Sequence, residues 1–190
     1  MHTKIASTLA GAALVFGMGS AQAALWDFTL TGAVIYADAP NDYNLSYLSP
    51  VTVAGTFDDS LLTGGTGTIS FASGNAYGNT FTVTAGDITF TPDEEITGGI
   101  YPFLTLDSWA LDTVNNGFTF YATDSATGAT FNSYFDVFDG DDTNFDQIAG
   151  NWTQFSVTAV PEASTYAMML AGLGLVGFMG ARRKSLHATA

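Results

Sequence analysis

Short runs in which apolar residues alternate with threonine or serine recur along residues 24–160. Because successive side chains of a β-strand point to opposite faces, this alternation is typical of a strand with one buried and one solvated face. Turn-forming clusters rich in Gly, Asn and Asp separate the runs, and no stretch of this region has the periodicity of an amphipathic helix. The five clearest runs are Phe28–Thr31, Val51–Phe57, Phe81–Thr84, Phe118–Tyr121 and Trp152–Val157.

This pattern predicts an all-β fold. About nine or ten short strands fit between the turn signals, which favours an antiparallel β-sandwich with jelly-roll or Greek-key connections. The Asn116-Gly117 pair tolerates positive φ and separates Trp109–Leu111 from Phe118–Phe120, so we expect a tight hairpin there. A signal-peptide helix and a C-terminal hydrophobic helix are expected to flank the sandwich.

The aromatic residues are the expected core of this sandwich. The chain has 15 Phe, 8 Tyr and 3 Trp but no Cys, so its stability must come from packing and not from disulfides. The loop at 38–50 differs, because Tyr43 and Tyr47 lie among Asn, Asp and Ser residues. Tyrosines in such a setting can stack on sugar rings, and the same composition also describes an ordinary solvated loop.

Residues 1–23 have the three parts of a secretory signal peptide. Lys4 supplies the positive charge, residues 5–18 are apolar, and Ala21 and Ala23 are the small residues that a signal peptidase recognises. The apolar part is shorter than the roughly 18 residues of a stable membrane span. We therefore expect cleavage after Ala23 and export of the chain that begins at Ala24.

Positive charge is confined to the two ends of the chain. Besides Lys4, the only basic residues are Arg182, Arg183 and Lys184, which follow a second apolar segment at 166–181. Because basic clusters remain on the cytoplasmic side of a membrane, this arrangement predicts a cytoplasmic tail at 185–190 and a body, 24–159, on the opposite side of the inner membrane. The apolar segment is shorter than the roughly 20 residues of a permanent span, which indicates a transient or tilted helix.

The body itself is strongly acidic. Of the 18 Asp and Glu residues, all but Glu162 lie between Ala24 and Val160, a region without Lys, Arg or His. Such a surface repels nucleic acid and anionic lipid, and attracts divalent cations and amine-bearing polymers. The same acidity also keeps an exported protein soluble. We predict no nucleic-acid partner.

The residue types missing from the body exclude most catalytic chemistry. Without His, Cys, Lys or Arg there can be no Ser-His-Asp triad, cysteine nucleophile, Schiff base, zinc cage of His and Cys, or arginine clamp on a phosphate. A pair of carboxylates, as in glycosidases, is the one familiar arrangement that remains. The carboxylates are scattered over predicted loops, so we predict no enzymatic activity and no cofactor.

The densest acidic stretch, FDVFDGDDTNFD, is a candidate calcium loop, since Ca²⁺ takes six to eight oxygen ligands. Its spacing is not that of an EF-hand, because the sixth and twelfth positions counted from Asp139 are Asn144 and Gly150. Either a cation lies among these carboxylates or the loop is extended and hydrated. The candidate ligands are Asp136, Asp139, Asp141, Asp142 and Asp146.

The C-terminal segment combines a short motif, an apolar helix and a basic cluster in a specific order. The motif residues and the basic stop are Val160, Pro161, Glu162, Ser164, Arg182 and Arg183. Residues 160–184 thereby resemble the PEP-CTERM sorting signal of Gram-negative bacteria, with Ala163 where that family usually has a second Pro. The resemblance implies recognition by a membrane-embedded exosortase, cleavage near the motif, and delivery of the body to the cell surface or an exopolysaccharide matrix.

Two functional hypotheses follow from the sequence. The favoured one is an exported, non-catalytic protein of the cell surface or extracellular matrix, processed by signal peptidase and exosortase and associated with polysaccharide and divalent cations in a biofilm or floc. The alternative is a membrane-anchored enzyme that acts on glycans through paired carboxylates. Two carboxyl groups about 5 to 10 Å apart in an aromatic-lined cleft would favour the enzyme, and carboxylates spread over convex loops would favour the matrix role.

Overall fold

The computed structural model describes residues 24–72, 76–95, 102–115, 117–161, 167 and 169–176. These residues form eleven strands, two 3-10 turns at Asp59–Leu61 and Pro92–Glu94, and a helix at 169–176. The strands are β1 (Leu25–Ala37), β2 (Pro50–Asp58), β3 (Gly67–Ser70), β4 (Thr80–Ala85), β5 (Ile88–Phe90), β6 (Phe103–Asp107), β7 (Ala110–Leu111), β8 (Phe118–Thr123), β9 (Thr130–Tyr134), β10 (Val137–Asp141) and β11 (Gln147–Ala159).

All these strands belong to one sheet with the order β3-β6-β8-β9-β10-β11-β1-β2-β4-β5, and β7 pairs with β6 beside that path. Every paired neighbour is antiparallel. The first and last strands, β1 and β11, are the longest and pair with each other from Trp26–Ala159 to Ala37–Ile148. The prediction of an antiparallel all-β body is confirmed.

The sheet is curled, so that strands far apart in its order face each other. Phe81 on β4 packs edge to face against Phe118 and Phe120 on β8, with ring centroids 5.1 and 4.9 Å apart. Six strand spacings separate β4 from β8, which would be roughly 29 Å in a flat sheet. One sheet that folds over its own inner face therefore takes the place of the two expected sheets, and the sandwich prediction is not confirmed.

The inner face of the curled sheet encloses a core dominated by phenylalanine. Trp152 is buried in this core, as expected, whereas Trp26 and Trp109 are only partly buried and pack against each other at its edge, with ring centroids 4.1 Å apart. Among the described residues, every buried side-chain nitrogen and oxygen has a hydrogen-bond partner. The core therefore carries no uncompensated polar burial, which would be costly in the absence of disulfides.

The hairpin predicted at Asn116-Gly117 is wrong. Leu111 pairs with Leu106 in β6, and β8 pairs with β6 and β9. The tight turn lies earlier, at Ser108 and Trp109, whose φ angles are 52° and 65°. Positive φ at both central residues is the geometry of a two-residue hairpin turn, and here residues other than Asn and Gly adopt it.

The C-terminal segment begins where the sheet ends. The Val160 amide donates a hydrogen bond to the Leu25 carbonyl over 2.8 Å, directly after the last residue of β11. Of the apolar helix predicted at 166–181, residues 169–176 are helical with exposed side chains. Within the described parts of the chain, no helix is both long enough and apolar enough to cross a bilayer. The predicted signal peptide, including Ala21 and Ala23, lies outside the described residues.

Candidate functional site

A groove of about 490 Å³ lies on the outer face of the sheet, across β8, β9 and β10. The three strands send Phe120, Phe131 and Phe138 into the core, so the residues of opposite parity point outward. Besides threonines, these outward residues include larger polar and aromatic side chains. The side chains that line the groove include Thr119, Tyr121, Asn132, Tyr134, Asp139 and Asp141.

The strand register aligns three of these side chains in one row. Tyr121 lies directly opposite Asn132, and Asn132 lies directly opposite Asp139. The row continues to Ala149 on β11 and Tyr36 on β1. Residues in direct register share a face of the sheet, so the row has an aromatic residue at each end, an amide and a carboxylate between them, and a small alanine that leaves space beside the carboxylate.

Asp139 is the most perturbed acid in the groove. Its half-buried position raises the pKa of its carboxyl above the ordinary value, the Asn132 side chain opposes this shift by hydrogen bonding, and Asp141 adds to it by charge repulsion. A carboxylate that is partly withdrawn from water gains strength as a hydrogen-bond acceptor. Asp139 is therefore suited to accept hydrogen bonds from hydroxyl groups of a ligand.

Asp139 and Asp141 form a carboxylate pair in this groove. They lie two residues apart on the outward side of β10, and both line the cavity. Two residues of a strand span about 6.8 Å between Cα atoms. The pair and the two nearby tyrosines thus resemble the arrangement that the sequence analysis associated with a glycan-active enzyme.

The five predicted calcium ligands do not form one cluster. Asp136 is exposed at the turn between β9 and β10, Asp139 and Asp141 line the groove, and Asp142 and Asp146 lie in the loop that follows. In the described segments, no three carboxylates lie close enough together to hold a metal ion. The calcium hypothesis stays a prediction without a preformed ligand cage.

Asp142 instead organises its own loop. Its carboxylate accepts hydrogen bonds from the backbone N–H groups of Asn144, Asp146 and Asp42, over 2.8, 3.0 and 3.0 Å. These bonds occupy both carboxylate oxygens and join two loops that are far apart in the chain. Asp142 thus has a structural role in this acidic stretch, because its carboxylate holds the loop in place.

The loop at 38–50 does not present two tyrosines to solvent. Tyr43 is fully buried, and its hydroxyl donates a hydrogen bond to the Thr130 carbonyl. Burial raises the pKa of the Tyr43 hydroxyl, and the nearby carboxylates of Asp141 and Asp142 add to the shift. Tyr47, in contrast, is 68% exposed. The prediction that Tyr43 and Tyr47 could stack together on sugar rings is therefore wrong, because Tyr43 is a core residue.

The groove on β8–β10 is not apparent from the sequence pattern. Its residues are two apart within FTFYAT, TFNSY and VFDGD, and each strand alone reads as an ordinary half-buried strand. The signal that could have found it is the nature of the outward residues, since Tyr, Asn and Asp join the threonines at these positions. Only the pairing of the strands brings them together.

The sorting residues lie mostly beyond the described part of the chain. Val160 and Pro161 are described immediately after β11, whereas Glu162, Ser164, Arg182 and Arg183 are outside it. Comparison with protein families finds the PEP-CTERM protein-sorting motif at residues 159–184. No curated protein and no solved structure matches the chain. The motif indicates an exported protein that is processed by an exosortase for the cell surface or the extracellular space.

Proposed function

From the premise that the chain carries a PEP-CTERM sorting motif, we propose that it is a non-catalytic protein of the cell surface or extracellular matrix, associated with exopolysaccharide. The observation that carries this proposal is the position of the motif. The match begins at residue 159, and β11 ends at Ala159. A cut near the motif would therefore remove the tail and leave every strand of the sheet in place.

The charge of the body supports the same role. The region between Ala24 and Val160 has 17 acidic residues and no basic ones. Uncompensated negative charge keeps a protein soluble outside the cell, and it favours bridging by divalent cations. We expect such bridges to form between exposed carboxylates and polymer, without a preformed cage in the protein.

The proposal is tested by the termini of the extracellular form. We expect intact mass spectrometry of protein collected from the cell surface to give a chain that begins at Ala24 and ends near Pro161. A P161A/E162A variant should stay in the membrane fraction with its C-terminus intact. The matched control is Ala163→Pro, which restores the usual family residue and should be released at least as well. An extracellular chain that extends to Ala190 would contradict the proposal.

Association with the matrix needs its own measurement. Wild-type protein should sediment with extracellular polysaccharide after gentle removal of cells, and chelation of divalent cations should release part of it. Equal recovery from the polymer and from the polymer-free medium would count against the matrix role.

A second candidate function is a glycan-active enzyme, and the Asp139–Asp141 pair is the observation that favours it. The half-buried position of Asp139 raises its pKa, which suits a general acid, and a neighbouring carboxylate can act as base or nucleophile. This activity would release new reducing ends from a polysaccharide. Asp139→Asn should lower the rate at which reducing ends are released by at least about 100-fold. A wild-type protein that releases no reducing ends would exclude this candidate.

A further inference from the structure

We propose that the groove on β8, β9 and β10 is a glycan-binding site that takes uncharged pyranose units of a polysaccharide. This inference deepens the proposed function and rests on it for the kind of polymer that the protein meets. The groove lies on the outer face of the sheet, and it borders the 38–50 loop through Thr130, whose carbonyl accepts a hydrogen bond from Tyr43.

The groove has the size and composition of a ligand site. Its volume of about 490 Å³ falls in the usual range of roughly 300–1,000 Å³ for small-ligand pockets. Tyr121 is half-buried and Tyr134 is 40% exposed. Tyrosine presents an apolar ring together with a polar hydroxyl, which suits a pyranose whose faces carry C–H groups and whose rim carries hydroxyls.

The polar side chains of the groove match vicinal hydroxyl groups. Asp139 contributes carboxylate oxygens, and the Asn132 side chain, which hydrogen bonds to it, contributes both an acceptor and a donor. The two residues lie opposite each other on neighbouring strands, so their side chains are about 5 Å apart at Cβ. One sugar hydroxyl can donate to the carboxylate while its neighbour accepts from the amide.

Charge decides which sugars fit. The groove has two carboxylates, Asp139 and Asp141, and the body has no Lys, Arg or His to neutralise a uronate, sulfate or phosphate. An anionic sugar would meet repulsion at close range without compensation. The site therefore disfavours acidic polysaccharides and suits neutral ones.

The row of outward residues indicates how a polymer would lie. From Tyr121 through Asn132, Asp139 and Ala149 to Tyr36, the row crosses five strands, a width of about 19 Å. A polysaccharide chain that runs across the strands would contact the groove and then pass over Ala149 towards Tyr36, whose side chain is 51% exposed.

The test is native affinity electrophoresis of the full-length chain in mild detergent, in gels that contain dextran, galactomannan, xyloglucan or alginate, with EDTA present to prevent bridging of carboxylates to polymer by divalent cations. We expect retardation in at least one neutral gel and none in alginate. Tyr121→Ala and Asp139→Asn should each weaken the retention by about 10-fold or more. The matched control is Tyr47→Ala, because Tyr47 is exposed in the loop at 38–50 and should leave the retention unchanged.

Loss of fold is separated from loss of binding by thermal unfolding of each variant. Asp139→Asn preserves side-chain volume, so it keeps the test valid even if Tyr121→Ala unfolds. No retention in any neutral gel, equal retention of Asp139→Asn and wild type, or a larger effect of Tyr47→Ala would overturn the proposal. Retardation in alginate that Asp139→Asn leaves unaltered would overturn it as well.

The outcome is independent of sorting. A protein that binds neutral glycan in the gel but is never released from the membrane would contradict the proposed function and leave this inference intact. A protein that is released into the matrix but binds none of the neutral polymers would contradict only this inference. Release of reducing ends would add catalysis to the same groove and support glycan binding there.

Discussion

At the scale of single residues, two glycines with the same backbone angle are needed for different reasons. Gly64 and Gly86 both have a φ of +61°. A Cβ added at Gly64 would meet no atom within 4 Å, whereas one at Gly86 would lie 1.8 Å from the Tyr43 carbonyl oxygen. The turn after β4 therefore needs glycine both for its conformation and for the close approach of the loop that holds Tyr43.

We predict that Gly86→Ala destabilises the protein more than Gly64→Ala does. Gly64→Ala should cost only the left-handed conformation, about 1–2 kcal/mol, and Gly86→Ala should cost about 1–3 kcal/mol more because of the clash. Urea unfolding of the two variants measures the difference. Equal unfolding midpoints would show that the loop yields freely at Tyr43.

Asp142 is a residue whose charge contributes to stability. Burial by itself would raise the pKa of this carboxyl, but the N–H groups of Asp146, Asn144 and Asp42 outweigh burial and hold the pKa below its ordinary value. A carboxyl with a lowered pKa stabilises the folded state above the unfolded pKa of about 3.9, and this contribution is lost as the pH falls through the lowered pKa.

We therefore predict a pH-dependent difference between wild type and Asp142→Asn. The melting temperature of the wild type should be higher near pH 6, and the gap should narrow as the pH falls below about 4. The Asp142 charge also raises the pKa values of the neighbouring Asp38 and Asp146 carboxyls, so the gap measures Asp142 together with its repulsion of these two acids. A gap that is constant from pH 6 to pH 2 would show that the carboxylate acts by shape alone.

At the scale of elements, one hydrogen-bonded chain connects three strands inside the core. The Trp152 indole N–H on β11 donates to the Ser133 hydroxyl on β9 over 3.0 Å, and this hydroxyl donates to the Phe118 carbonyl on β8 over 2.8 Å. Ser133 is fully buried. The serine thus lets a tryptophan occupy the core without an unpaired donor.

We predict that Ser133→Ala costs about 1–3 kcal/mol of unfolding free energy, because it leaves the buried Trp152 N–H without a partner. In a Trp152→Phe background, where that donor is absent, Ser133→Ala should cost about 1 kcal/mol less. A double-mutant cycle by chemical unfolding measures this coupling. Additive effects would mean that the indole finds another partner.

The elements also explain which secondary structure could be predicted. β4 and β8 alternate between buried and more exposed residues along their whole length, and β1, β2 and β11 do so along part of it. A run predicted from the sequence falls in each of these five strands. The hairpin at Ser108 and Trp109 could not be anticipated, because neither residue favours positive φ. Its geometry follows from the Leu106–Leu111 and Asp107–Ala110 pairs, which tertiary packing imposes.

At the scale of the whole molecule, the body has no cationic side chain to offset its acids. The Ala24 amide N–H nevertheless donates to an Asp59 carboxylate oxygen over 2.8 Å, and the other oxygen accepts from the Trp26 indole. Signal-peptide cleavage after Ala23 would convert this amide into an ammonium group. Processing would thereby place the one positive charge of the body beside the Asp59 carboxylate.

We predict that the chain that begins at Ala24 is more stable with a free amino terminus than with an acetylated one, by about 0.2–1 kcal/mol. Pairing raises the pKa of the ammonium in the folded state, so the gain is complete below the unfolded pKa of about 7.8 and is lost as the pH rises through the raised value. Thermal unfolding at pH 6.5 and pH 10 measures it. Asp59→Asn should remove the difference, and a difference that persists in this variant would contradict the pairing.

The sequence by itself determined the antiparallel β-structure and the sorting of the chain. Alternation along a strand and the order of motif, apolar segment and basic cluster are local patterns, which can be recognised without knowledge of any distant contact. The acidity of the body and its lack of His, Cys, Lys and Arg are also properties of composition.

Only the tertiary structure decided how the strands assemble and what their outer face presents. The single curled sheet depends on contacts such as Phe81 with Phe120, and the groove depends on the register that aligns Tyr121, Asn132 and Asp139. Tyr43 became a core residue for the same reason, since it packs into the hydrophobic core although its neighbours in the chain are polar. Strand order and register arise from the joint packing of residues far apart in sequence, which no local pattern contains.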